Sequence, residues 1–132
     1  MIADILKFLY PTLNPLTDYE IVDRGKGMEL VSWNASSKPP SMDEIDAARL
    51  PAAKSMRITA INTECRARLT TRFGNAEEQV SRSLGVYGAA EKTAITNGIA
   101  AMIDASNTAS NAVLAASTIL DVEAVTVTWP VI

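Results

Sequence analysis

Three observations predict an α+β fold for this chain. Strand-forming residues gather at 18–33 around a turn with two glycines, helical periodicity follows the Pro39-Pro40 break as far as about residue 120, and a Val/Thr alternation closes the sequence. The expected architecture is a small N-terminal β-hairpin, a mainly helical middle and C-terminal region, and a terminal β-strand. At 132 residues and 48% hydrophobic content, one core without metal or disulfide staples is the expectation. The chain divides on paper into residues 1–38 (helix plus hairpin), 41–120 (helical) and 121–132 (strand), forming one unit.

Ile2, Ile5, Leu6 and Leu9 recur at helical spacing until Pro11, which predicts a short amphipathic helix. Tyr19, Ile21 and Val22 form one strand run, and Leu30, Val31 and Trp33 the next. Between them Arg24-Gly25-Lys26-Gly27 offers two positions free to take positive φ, which predicts a hairpin over 18–23 and 28–33. Lys38-Pro39-Pro40 then breaks regular structure, since neither proline donates to a ladder.

Ser41-Met42-Asp43-Glu44 has the capping-box form and predicts a helix start. Pro51 is expected to interrupt that helix or to begin a second one. From residue 52 to 72, Ile58, Ile61, Cys65 and Leu69 share a stripe bordered by Lys54, Arg57, Arg68 and Arg72. The basic residues either cover the edge of a core with their aliphatic stems or flank a partner surface. Cys65 reads as a structural thiol, because no histidine or second cysteine exists to activate or resolve it. Gly74 ends the helix, Asn75-Ala76-Glu77-Glu78 caps the next, and Gly85 and Gly88 mark a turn.

Between 89 and 120, Ile95, Ile99, Met102, Ser106, Ala109, Val113, Ala116 and Leu120 step alternately by four and three residues. This seam predicts oligomerisation through Ile95, Ile99, Met102, Val113 and Leu120, with a homo-oligomer or hetero-oligomer as the product. Gly98 and the Ser/Asn/Thr-rich tract 104–111 leave open whether the stretch is one helix or two. Residues 122–129 alternate, with Val125, Val127 and Trp129 on one face, and predict a strand. That strand either joins the hairpin, with Trp33 and Trp129 over one shared core, or adds to the edge of another chain.

Histidine is absent and there is one cysteine, which excludes zinc fingers, Cys/His nucleophile pairs and disulfide frameworks. Gly25-Lys26-Gly27 lacks the spacing and following helix of a phosphate loop. Asp43, Glu44 and Asp46 are accounted for by the positive end of a helix. Enzyme activity is not expected, nor is a cofactor. No apolar run approaches the ~20 residues that span a bilayer, and a pI near 4.9 argues against nucleic acid or a membrane as partner. Residues 1–48 carry four basic and eight acidic side chains, 49–92 eight and four, and 93–132 none and three, so the middle is the basic part. Trp33, Trp129, Val125, Val127, Arg57, Arg68 and Arg72 are the candidate partner-binding residues.

The opening order, 2–11 as a short helix, Thr17-Asp18-Tyr19-Glu20-Ile21-Val22-Asp23, a Gly-rich turn, Leu30-Val31-Ser32-Trp33-Asn34 and Pro39-Pro40-Ser41-Met42-Asp43-Glu44-Ile45, resembles small bacteriophage and prophage tail-module proteins, the XkdW-like and tail-fibre-assembly group. The resemblance covers about the first 50 residues. It implies a tail fibre assembly chaperone, a non-catalytic helper that holds a phage tail fibre or other tail protein until its chains trimerise, working in the host cell cytoplasm. The alternative it implies is a structural virion protein of the tail, baseplate or fibre.

Overall fold

The computed structural model describes residues 1–132, with helix α1 (Ile2–Leu9), strands β1 (Tyr19–Asp23) and β2 (Met28–Trp33), and helices α2 (Met42–Phe73), α3 (Ala76–Ser83), α4 (Ala89–Ala115) and α5 (Ile119–Ala124). It is an α+β protein with one two-stranded antiparallel sheet. Two compact units, Met1–Ala53 and Lys54–Ile132, divide it, and the boundary falls inside α2.

In the first unit, Tyr19 pairs with Trp33, Ile21 with Leu30 and Asp23 with Met28. Gly25 (φ 83°) and Gly27 (φ 100°) take the left-handed conformations that the tight reversal needs. Glu20 opposes Ser32 while Ile21 opposes Leu30, so Val31 is a bulge residue without a partner. One face of the hairpin buries Tyr19 against Ile2, Ile5 and Leu6 of α1 and Ile45, Ala48 and Ala52 of α2. A hairpin alone is marginal in water, and these two helices supply its missing apolar layer.

The start of α2 is the capping box read from sequence. The Ser41 N–H donates to Glu44 Oε2 at 2.7 Å, and the Glu44 N–H donates to Ser41 Oγ at 3.2 Å. Pro51 does not break the helix. Its missing N–H leaves the Ala47 carbonyl without its intrahelical donor, on a side of the helix where Ala47 and Pro51 are both exposed.

In the second unit, the rest of α2 packs beside α4. The Phe73 ring lies over Gly98, Cys65 Sγ is 3.7 Å from the Met102 carbonyl oxygen, and Ser106 Oγ donates to Asn62 Oδ1 at 3.1 Å. Of the two readings of 89–120, a single helix holds through the Ser/Asn tract and ends at Ala115. Gly98, Ser106 and Ala109 are buried, so the small residues of α4 are the ones that face the neighbouring helix. Gly74 (φ 86°) ends α2, and Asn75 Oδ1 caps α3 by accepting from the Glu78 N–H at 2.9 Å.

The expected C-terminal strand is not formed. Residues 122–124 belong to α5, because Thr118 Oγ1 accepts the Asp121 N–H at 3.1 Å and caps a short helix that buries Val122. Residues 125–132 have no regular structure, and the three-stranded sheet with the hairpin does not exist.

Candidate functional site

The first unit carries a groove of about 560 Å³ that runs the length of β2. All six residues from Met28 to Trp33 line it, opposite Pro39, Pro40 and Met42, with Ile2 and Ile45 also contributing. Six consecutive residues point alternately to both faces, and none of the lining belongs to β1. The groove therefore follows the edge of β2 that β1 leaves free. With only two strands in the sheet, nothing pairs with that edge. Met28, Val31 and Met42 are exposed there, and the unpaired Val31 sits at the bulge. Methionine side chains adapt their shape, so this wall accepts varied apolar neighbours. The sequence reading missed the groove. Its available signals were two methionines flanking a hairpin that has no third strand within reach.

Trp33, the one sequence-named residue at this groove, is held from behind. Its Nε1–H donates to the Ser37 carbonyl at 2.7 Å, its ring stacks on Tyr19 with centroids 6.0 Å apart, and Tyr10 meets it edge-on at 5.1 Å. Trp33 has Tyr10, Tyr19 and Ser37 as neighbours within the first unit, and Trp129 has Arg68 within the second.

The basic stripe on α2 is engaged within the second unit. Lys54 Nζ donates to the Leu114 carbonyl at 2.6 Å, and Arg57 Nη2 to the Val125 carbonyl at 2.7 Å. Arg68 bonds Glu64 through two nitrogens, and its guanidinium lies 5.3 Å from the Trp129 ring centroid. Arg72 and Arg82 share Glu91 at 2.8 and 3.1 Å. That carboxyl is held below its ordinary pKa, first by the hydrogen bond from Arg72 and further by the charges of both arginines. Val125, Val127 and Trp129 are half-buried while Thr126 and Thr128 are exposed. The predicted face is the covered one, with helices rather than a sheet beneath it.

Of the seam residues, Ile95, Met102 and Val113 are buried inside the chain's own second unit, Ile99 is half-buried, and Leu120 is exposed on α5 after α4 has ended.

At the acidic helix start, Glu44 accepts from Ser41, and Asp46 pairs with Arg49 at 2.8 Å. The hydrogen bonds from Ser41 hold the Glu44 carboxyl below its usual pKa. Cys65 is buried, and desolvation raises its thiol pKa above the ordinary value. No helix is long and apolar enough to cross a membrane.

Residues 2–58 match a family model described as XkdW protein, a phage-associated family. The matched stretch contains α1, the hairpin, the groove and the first half of α2, in agreement with the resemblance of the opening residues. Neither the curated proteins nor the solved structures give a match.

Proposed function

We propose that this chain, phage-related through its XkdW-like segment, is a tail fibre assembly chaperone. It is a non-catalytic protein-binding helper in the host cytoplasm that covers an extended segment of a fibre chain until trimerisation buries it. The observation that carries the reading is the free edge of β2 beside its methionine-lined groove. An unpaired strand edge offers main-chain donors and acceptors, which accept an extended segment with little regard to its sequence, and adaptable apolar walls take alternate side chains. Unfinished fibre chains expose such segments and aggregate through them.

The test is co-expression with a tail fibre protein of the same phage or prophage, using the full chain and a Val31→Lys variant. Lysine on an edge strand opposes strand addition, and Val31 is exposed and unpaired, so the hairpin tolerates the change. The expected result is that the native chain raises the yield of soluble fibre trimer and is absent from purified particles, while Val31→Lys folds and loses the effect. Stoichiometric presence in virions would replace this reading with a structural tail role. An unchanged fibre yield would end it.

A further inference from the structure

Helix α2 runs through the boundary between the two compact units, and Pro51 stands at that boundary, two residues before Ala53. On the N-terminal side, Ile45, Ala48 and Ala52 close a core with Ile2, Ile5, Leu6 and Tyr19 that draws on residues 2–52 alone. The stretch matched by the family model, 2–58, contains this core whole. On the C-terminal side, the first two cations of the second unit are bonded within it, Lys54 to the Leu114 carbonyl and Arg57 to the Val125 carbonyl. Between the two sets of anchors, Ser55 and Met56 are exposed, as is Pro51.

Order spreads along a helix because each hydrogen bond added to an existing turn fixes only one more residue. Pro51 removes the bond to the Ala47 carbonyl, is the poorest of helix formers, and biases Leu50 away from the helical region. In the native chain the packing of Ala48 and Ala52 carries the helix across this weak turn. When residues 54–73 unfold, nothing favours helix beyond Ala52, and loss of order from that side stops at the same turn. We infer that Pro51 uncouples the two units, so that each folds and unfolds without the other although one helix runs through both. A unit of 53 residues is near the lower limit for independent stability, and two helices on a hairpin reach it. The groove along β2 thereby stays formed while the second unit opens.

The chain supplies its own reporters, since Trp33 lies in the first unit and Trp129 in the second. Urea unfolding of the full chain is followed by tryptophan fluorescence in Trp129→Phe, which reads the first unit, and in Trp33→Phe, which reads the second. Ile5→Val trims the first core, and Gly98→Ala overpacks the second unit against Phe73. Ile5→Val is expected to lower the Trp33 midpoint by about 0.5 M and to leave the Trp129 midpoint in place, and Gly98→Ala to do the reverse. Pro51→Ala restores the missing bond, and each core substitution is then expected to move both midpoints. A shift of both midpoints by either core substitution in the chain that retains Pro51 would overturn the inference. So would midpoints that still move separately after Pro51→Ala.

Discussion

The Phe73 ring covers Gly98 so closely that a methyl group on Gly98 would lie 2.9 Å from the ring's Cζ. Phe73 is 1% exposed and has no free direction in which to retreat. Gly98→Ala brings about 1 kcal/mol of helix propensity, against an overpacking cost of about 1–3 kcal/mol. The expected outcome is a net loss of about 1 kcal/mol, read as a lower urea midpoint with unchanged slope. A stabilised variant would show that the two helices separate freely at this point.

Trp33 tests whether an aromatic near a groove serves the core. Trp33→Phe keeps a ring against Tyr10 and Tyr19 but removes the donor to Ser37, with an expected loss of about 1 kcal/mol. Trp33→Ala also removes the ring, with an expected loss of about 3 kcal/mol. Chemical unfolding followed by tyrosine fluorescence or circular dichroism separates these values. Full stability of Trp33→Ala would move Trp33 from core to surface.

Cys65 should be inert in the folded protein. It is buried, and desolvation raises its thiol pKa, so little thiolate is available to react. Ellman's reagent is expected to react slowly in buffer and stoichiometrically in denaturant. Rapid modification of the native chain would contradict the Cys65–Met102 packing.

Glu91 links stability of the second unit to pH. Its carboxyl pKa is depressed in the folded state, chiefly by the Arg72 hydrogen bond. The stabilisation is therefore fully present above the unfolded carboxyl value, near ~4.3, and is lost as pH falls through the lower folded value. Glu91→Gln should lower the urea midpoint at pH 7, and its gap to the native midpoint should narrow at pH 3. A gap of equal size at both pH values would mean that shape rather than charge matters there.

What the sequence determined about this protein lies in local signals that tertiary contacts had no cause to override. The hairpin follows from two glycines between strand formers, the start of α2 from the Ser41/Glu44 box, the start of α3 from Asn75, and the covered face of the tail from the Val125/Val127/Trp129 alternation. The same kind of signal was present and outweighed at Thr118, where a cap prevailed over the strand propensity of the residues beyond it. Tertiary structure alone decided what each apolar face meets. Periodicity shows that Met102 and Val113 face something apolar, but a helix of the same chain and a helix of another satisfy that pattern equally. Only the close approach allowed by Gly98, Ser106 and Ala109 brings α2 there. The groove along β2 was hidden for a related reason: an unpaired edge is defined by the strand that is not beside it, and a sequence does not state which neighbours a strand lacks.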